Sequence, residues 1–215
     1  YPSMVESMAQ GLGREVRLTI EGGDAEMDRS IIETLYQPLV HILRNAVSHG
    51  IEAPSERRRR NKPRRGIISL SAEQSGTMMS IEVKDDGKGL DPTLIAARAL
   101  SQGPVSEMQL ERMSDIERLN LIFMPGMTSS EEITEVSGRG LGMDTVRAQL
   151  NRLGGRIEVE SKVGEGAIFR LMVPLTLAII QTVMGRVGDV SFGIPASAIL
   201  GVGRGSRDNI HGQGG

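Results

Sequence analysis

Three separated blocks of the sequence combine polar side chains or glycines at spacings that could serve chemistry. The first runs from His41 to Gly50, and in it His41 and Asn45 are four residues apart. In a helix this spacing places both side chains on one face. An amide oxygen suits a hard cation such as Mg²⁺, which takes few protein ligands and prefers phosphate oxygens and water for the rest. Taken alone, the block could equally be a polar helix face in water.

The second block, Asp85–Asp91, has the pattern Asp-x-Gly-x-Gly and follows a segment of alternating apolar residues. A carboxylate fixed at the end of a strand can accept a hydrogen bond from an exocyclic amino group such as that of adenine. Gly87 and Gly89 would let a flat ring approach the backbone closely. The alternative is an acidic β-turn, because Asp and Gly both favour turns.

The third block alternates glycine with other residues from Ser137 to Met143, directly before a predicted helix. Backbone N–H groups exposed there, together with the positive end of the helix dipole, suit phosphate oxygens. The block is not a P-loop, since it lacks the Gly-Lys-Ser/Thr ending, and no strand precedes it as a dinucleotide-binding fingerprint requires. The alternative is a flexible glycine hinge.

Helices and strands must position these blocks. A helical pattern over 28–50 carries the first block, with Pro38 as the site of a break or kink. Further helices are predicted at 2–12, at 92–101 with Asp91 as N-cap, near 114–124 within a loop-rich stretch, and at 142–153. Alternating patterns predict strands at 15–21, 67–71, 79–84, 156–161 and 167–174, and a β pair at 179–187 and 190–194. This order predicts an α/β two-layer sandwich, a mixed and mostly antiparallel sheet with helices on one face.

Composition narrows the classes of function. The net charge is −2 and aromatic residues make up 2%, with no Trp, which argues against nucleic-acid binding. The basic run Arg57–Arg60, continued to Arg65, is interpreted as a solvated loop or helix end. There is no cysteine, which fits a reducing compartment, and no apolar stretch is long enough to insert into a membrane. We therefore expect a cytoplasmic protein, and the first residue, Tyr1, suggests a piece of a longer chain.

The order and spacing of the three blocks resemble the GHKL (Bergerat) ATP-binding fold of DNA gyrase, heat-shock chaperones, MutL repair proteins and histidine kinases. Within that fold the sequence resembles the CheA-type histidine kinases of bacterial chemotaxis. Four segments carry this resemblance: His41–Glu52, Ile122–Ser129, Val136–Val146, and Pro174–Ile179, where the kinase domain of CheA passes into its CheW-like domain. The resemblance extends from about Pro2 to Leu200.

The resemblance implies roles for individual residues. Asn45 would ligate Mg²⁺, His41 would contact the region of the γ-phosphate, and Asp85 would bind the adenine amino group. Gly87 and Gly89 would shape the base pocket. Residues on the phosphate side would be Arg44, His49 and, as a weaker candidate, Arg98. The phosphates and ribose would be wrapped by Ser137, Gly138, Arg139, Gly140, Leu141, Gly142 and Met143. The sequence departs from the CheA pattern at Ser48, Met127 and Ala167.

By the same resemblance, residues 1–176 would form an ATP-binding catalytic domain and 177–215 the truncated, at most partly ordered start of a CheW-like regulatory domain. The implied activity is that of a protein-histidine kinase, which transfers the γ-phosphoryl of Mg-ATP to a histidine on a separate domain in two-component signalling. The implied partners are that phosphoacceptor domain, a CheW-like adaptor with its receptor, and a response regulator. The chain has three histidines, namely His41, His49 and His211, and none is a convincing acceptor.

Two other functions fit the same blocks. One is a different enzyme of this fold, an ATPase or a serine kinase, although ATPases of the fold use Glu to activate water where this sequence has His41. The other is a nucleotide-binding scaffold that acts mainly by docking to an adaptor. Phosphate transfer to an added acceptor distinguishes the kinase from both, and a monomer is expected because no dimerisation domain is recognisable.

Overall fold

The computed structural model describes residues 1–22, 26–103, 105–127, 142–176 and 182–195, together with 199 and 203. The chain divides into two compact units, Tyr1–Leu177 and Ala178–Gly215. The second unit contains an antiparallel hairpin of β6 (Thr182–Val187) and β7 (Val190–Pro195). No helix within the described ranges is long and apolar enough to cross a membrane.

The first unit contains seven α-helices and five strands among its described residues. The helices are α1 (Pro2–Gly11), α2 (Arg29–Asn45), α3 (Pro54–Arg59), α4 (Pro92–Gln102), α5 (Glu107–Arg112), α6 (Asp115–Asn120) and α7 (Met143–Arg152). A π-helical turn, Ala46–Gly50, extends α2, and a 3₁₀ turn, Leu121–Phe123, follows α6. The strands are β1 (Val16–Glu21), β2 (Gly66–Ser75), β3 (Met78–Asp85), β4 (Arg156–Lys162) and β5 (Gly166–Pro174).

The five strands form one sheet in the order β1-β2-β3-β5-β4. β1 pairs with β2 in parallel, and the other three pairs are antiparallel. Alternate residues of the inner strands are buried with apolar residues of α2 and α7 in a single core. The other face carries charge, and there Arg170 of β5 pairs with Glu82 of β3 and Glu160 of β4, each at 3.0 Å. The predicted two-layer sandwich with a mixed, mostly antiparallel sheet is confirmed.

The long helix of the first block departs from its prediction in one respect. α2 continues through Pro38, which is buried inside it, so the predicted break at that residue is wrong. The regular α-helix ends instead after Asn45, where the backbone widens into the π-helical turn. The Arg14 guanidinium donates to the carbonyl oxygens of Val47 and Ile51, which satisfies acceptors left at this helix end. Such π-turns concentrate at functional sites.

The loop-rich stretch contains more helix than the sequence patterns predicted. α5 and α6 each begin with a capping box, formed by Ser106 with Gln109 and by Ser114 with Glu117. In each box the serine hydroxyl accepts from a backbone N–H, and the longer side chain accepts from the serine N–H. Both Ser-x-x-Gln/Glu signatures are present in the sequence, and the first of them marks the helix that the periodicity did not reveal.

Candidate functional site

A cavity of about 530 Å³ opens between the end of α2, the turn after β3, helix α4 and the start of α7. The residues that line it are His41, Asn45, Ala46, His49, Gly50, Arg60, Asp85, Lys88, Gly89, Leu90, Asp91, Leu94, Ile95, Arg98, Ile122, Met127, Met143, Val163, Ala167 and Phe169. The volume falls in the range typical of small-molecule sites, and the lining is mainly apolar with a few polar groups, as such sites usually are.

The structure brings together seven of the residues that the sequence singled out, and these seven line the cavity: His41, Asn45, His49, Asp85, Gly89, Arg98 and Met143. Three others lie outside its lining. Arg44 is exposed on α2, Gly87 is buried in the turn after β3, and Gly142 is the buried N-cap of α7. The remaining predicted residues, Ser137, Gly138, Arg139, Gly140 and Leu141, lie outside the described residues.

Asn45 is held by residues from two elements. Its Nδ2 lies 3.1 Å from Nε2 of the buried His41, one turn earlier on α2, and donates to Met143 Sδ at 3.6 Å. Because an amide nitrogen only donates, Nε2 is the accepting nitrogen of the His41 ring. In the part of the chain that the structure describes, Asn45 Oδ1 is buried and has no hydrogen-bond partner. A buried acceptor without a partner is costly, so this oxygen is suited to a ligand or a cation in the cavity.

Asp85 is the last residue of β3 and is 5% exposed. The Gly87 N–H donates to its Oδ1 at 2.9 Å, and the Ala167 N–H also donates to the carboxylate. Loss of hydration on burial raises the pKa of Asp85 to about 6, and the two N–H donors and the Lys62 ammonium oppose that rise. Above pH 6 the side chain is an ionised acceptor held in a fixed orientation, able to accept from an amino group and unable to donate.

The glycines of this turn are required by neighbouring backbone. A Cβ on Gly87 would overlap the carbonyl oxygen of Gly50, and a Cβ on Gly89 would overlap that of Lys162. Gly89 also has φ +71°, a left-handed conformation that favours glycine. Both glycines therefore serve chain packing, and of the two Gly89 lines the cavity. That they admit a flat ring stays a prediction.

Contacts to the β4–β5 hairpin fix the rest of the turn. The Leu90 N–H donates to Ser161 Oγ at 2.7 Å, and the Gly164 N–H donates to the Lys88 carbonyl at 2.7 Å. Asp91 then caps α4 by accepting from the N–H groups of Thr93 and Leu94, as the sequence predicted. The turn after β3, which lines the cavity, is thereby tied to the β4–β5 hairpin of the sheet.

Sequence patterns did not identify the apolar wall of the cavity, although part of it comes from the segment Ile122–Ser129 that carries the family resemblance. Leu94 and Ile95 come from α4, Ile122 and Met127 from the segment before residue 128, and Phe169 from β5. Met127 is buried in a small cluster with Ala99, Val105 and Leu121. Strand alternation indicated that Phe169 is buried, but no local pattern distinguishes a core residue from one that faces a cavity.

The basic run also differs from its interpretation as solvated chain. Arg57 is fully buried, and Arg60 lines the cavity, while Arg58 and Arg59 are exposed. The run does form the end of α3, as one of its two interpretations had it. Its interpretation as solvated is wrong for Arg57 and incomplete for Arg60. Arg57 is buried because acidic and carbonyl groups from elsewhere in the chain surround its guanidinium, which the run itself does not reveal.

The family model of histidine kinase-, DNA gyrase B-, and HSP90-like ATPases matches residues 34–177. The chain is 44% identical over 211 residues to sensor histidine kinase CheAY of Helicobacter pylori, covering 98% of this chain and 26% of the relative. It is 39% identical over 200 residues to chemotaxis protein CheA of Bacillus subtilis, covering 93% of this chain and 30% of the relative.

A solved histidine kinase domain of the blue-light activated histidine kinase from Erythrobacter litoralis EL346 matches with a TM-score of 0.46 and 16% identity. The match covers 80% of this chain and 57% of that chain. The chain spans between a quarter and a third of the length of the two curated relatives, 26% and 30%.

Proposed function

The chain belongs to the histidine kinase-, DNA gyrase B-, and HSP90-like ATPase family, and from that premise we propose that residues 1–176 are the ATP-binding catalytic domain of a CheA-like histidine kinase. The reaction is transfer of the γ-phosphoryl of Mg-ATP to a histidine imidazole on a separate domain. The observation that carries the proposal is the placement in one cavity of two unlike acceptors. These are the amide oxygen of Asn45, which has no partner among the described residues, and the buried carboxylate of Asp85.

At the adenine side, Asp85 accepts a hydrogen bond from the exocyclic amino group of the base. Its carboxylate already accepts from two backbone N–H groups, so its orientation is set before the nucleotide enters. Such preorganisation lowers the entropic cost of binding. The apolar wall formed by Leu94, Ile95 and Phe169 encloses the base.

At the phosphate side, the residues present fit a magnesium ion. Asn45 Oδ1 is a neutral oxygen ligand without a partner among the described residues, and Mg²⁺ is commonly held by few protein oxygens together with phosphate. When bound, the ion neutralises charge on the phosphate oxygens. His41 keeps the amide of Asn45 in orientation through Nε2, while His49 and Arg98 supply donors at the cavity lining for phosphate oxygens.

The other roles that the resemblance implies extend this proposal. The segment Ser137–Met143 wraps the phosphates and ribose, Arg44 is a peripheral contact of the phosphate side, and 177–215 begin a CheW-like regulatory domain. The acceptor histidine comes from a separate domain; of the histidines in this chain, His41 is buried and bonded to Asn45. A CheW-like adaptor with its receptor and a response regulator are the proposed partners, and the proposed location is cytoplasmic.

The deciding experiment incubates the chain with γ-labelled ATP, Mg²⁺ and an isolated phosphoacceptor domain from a CheA protein. We expect acid-labile, alkali-stable phosphate on the acceptor, and its loss in Asn45→Ala. Ser48→Ala is the matched control on the same helix, because it removes only the hydrogen bond from Ser48 Oγ to the Arg44 carbonyl, 2.8 Å. Release of phosphate without an acceptor would indicate an ATPase, and tight ATP binding without transfer would indicate a scaffold. Either result contradicts the proposal.

A further inference from the structure

Four charged side chains, Glu52, Arg57, Lys62 and Asp86, form a cluster behind the turn that carries Asp85; we name them the Arg57 cluster. The side chains of Arg57 and Glu52 are 0% and 1% exposed, that of Lys62 is 16% exposed, and that of Asp86 is 34% exposed. Two cations and two anions balance each other. Burying charged groups costs free energy unless all of them are paired and hydrogen-bonded. The groups that the cluster contacts therefore show which part of the chain it holds in place.

Lys62 uses its ammonium group on three acceptors. Nζ donates to Glu52 Oε1 at 2.9 Å, to the Asp86 carbonyl oxygen at 2.8 Å and to the Gly87 carbonyl oxygen at 2.6 Å. An ammonium has three N–H groups, so the three bonds use all of its donors. Two of the three end on consecutive carbonyls of the turn, and these are charge-assisted bonds, the stronger kind.

Arg57 reinforces the same peptide unit from a second direction. Its Nη1 donates to Glu52 Oε2 at 3.0 Å and to the Asp86 carbonyl at 3.2 Å, and its Nη2 donates to Asp86 Oδ2 at 2.8 Å. Nε donates to the Pro63 carbonyl at 2.7 Å, which holds the guanidinium in place. The Asp86 carbonyl therefore accepts from both cations of the cluster.

The opposite side of the turn is held by backbone. The Lys88 N–H donates to the Gly50 carbonyl at 3.0 Å, and the absence of a Cβ on Gly87 permits that close approach. With the carbonyls of Asp86 and Gly87 drawn toward the cations, the Gly87 N–H is left to donate to Asp85 Oδ1 at 2.9 Å. The orientation of the Asp85 carboxylate thus depends on the contacts that the carbonyls of Asp86 and Gly87 make with the two cations.

We propose that Lys62, supported by Arg57, is a positioning residue for recognition of the base, because it sets the peptide that holds the Asp85 carboxylate toward an amino-group donor. This inference rests on the proposed function, since it assumes that Asp85 binds adenine. A buried ion pair can often be replaced by apolar residues without loss of stability, so stabilisation alone is a weak explanation for the cluster. Its contacts instead converge on one turn of the binding site.

The test compares the affinity of the chain for ATP and for purine riboside 5′-triphosphate, which lacks the 6-amino group. In the unsubstituted protein we expect ATP to bind at least about tenfold more tightly, since a site that hydrogen-bonds an amino group disfavours an analogue without it. In Lys62→Met, which keeps the aliphatic stem and removes the donors, we expect this ratio to fall at least about threefold, mainly through weaker ATP binding. A general loss of folded protein weakens both nucleotides equally and leaves the ratio unchanged.

Further variants serve as controls. Arg64→Met removes a nearby cation whose ion pair with Glu15 is exposed, with side chains 76% and 37% accessible, and it should leave the ratio as in the unsubstituted chain. In an Asp85→Asn background, Lys62→Met should lower the ratio no further, because both act through one carboxylate. If Lys62→Met does not fold, Lys62→Gln is measured in its place, since it retains a donor and should give a smaller fall in the same direction.

Failure of the proposed function and failure of the positioning role of Lys62 give different results. If the unsubstituted chain binds neither triphosphate, or both equally, the proposed function at Asp85 fails. If it discriminates, and the Lys62 variant that folds discriminates just as well, the positioning role of Lys62 is overturned while the proposed function stands. An equal fall in Arg64→Met would also overturn it, because the effect would then follow from lost positive charge in general.

Discussion

The stability of Asp85→Asn relative to the unsubstituted protein should increase from acidic to neutral and alkaline pH. The same substitution removes the proposed adenine contact. Burial raises the pKa of Asp85 from 3.8 to about 6. At pH values above 6 the folded protein therefore contains an ionised carboxylate that would be more favourable in the unfolded chain. The amide of Asn carries no charge and is free of that penalty.

The magnitude follows from the two pKa values. A difference of about two units corresponds to a penalty of about 3 kcal/mol above pH 6, at about 1.4 kcal/mol per unit. Between pH 4 and pH 6 the folded state holds a proton that the unfolded state has released, so the stability of the unsubstituted protein falls as the pH rises. About 2 kcal/mol of the change lies between pH 4.5 and pH 8.

Asn also lacks one of the two acceptor oxygens of the ionised carboxylate. The carboxylate accepts from the N–H groups of both Gly87 and Ala167, and an amide can accept with its oxygen only. Opposing the second N–H with an NH₂ group costs on the order of 1–2 kcal/mol. Because the Asn amide does not titrate, the change with pH in the stability difference between variant and unsubstituted protein reports the titration of Asp85.

The assay is urea unfolding followed by circular dichroism at 222 nm, between pH 4.5 and pH 8. Asp28→Asn is the matched control, since Asp28 is an exposed N-cap whose pKa is lowered by hydrogen bonds from Ser30. For that variant the relative stability should stay level or fall as the pH rises. A stability difference for Asp85→Asn that does not change with pH would refute the reasoning, and so would one that changes in the opposite direction.

Three further predictions concern the cavity and the hydrophobic core. Nucleotide affinity should fall as the pH drops below about 6, because Asp85 gains a proton and loses acceptor capacity; calorimetric titrations that are level from pH 8 to 5.5 would contradict this. Gly89→Ala should weaken nucleotide binding and lower the melting temperature more than Gly76→Ala does, because both glycines have positive φ but a Cβ clashes only at Gly89. Phe123→Ala should cost about 3–5 kcal/mol in urea unfolding, since Phe123 is 0% exposed and stacks under Arg147; Ile116→Ala, at an exposed position, should have little effect, and equal losses would argue against the packing role.

Local patterns were sufficient for most of the architecture. Alternation predicted all five strands of the sheet, and helical periodicity predicted α1, α2, α4 and α7, because these periods reflect which face of each element is buried. The N-cap at Asp91 was likewise readable from its side chain and position. The helix of the first block was predicted correctly in extent. Of the two alternatives predicted at Pro38, a break or a kink, the break is wrong, since tertiary packing can keep a helix continuous through a proline.

The cavity was predictable only in part. His41 and Asn45 share a helix face by their spacing, so their proximity was evident from the sequence. The contact of Asn45 with Met143, 98 residues away, was not. The parallel pairing of β1 with β2 is likewise non-local, and nothing within either strand specifies its partner.

The sequence by itself determined the sheet and helix pattern, the three blocks and the family to which they belong, because each of these depends on residue types at short spacing. Only the tertiary structure decided which polar groups lose their water. It left the amide oxygen of Asn45 without a partner among the described residues, and it raised the pKa of Asp85 by burial. It also enclosed Arg57, and not its neighbours Arg58 and Arg59, within a cluster that reaches Asp86, 29 residues away. Hydration and pairing are properties of positions in space, and residues that are adjacent in sequence do not share them.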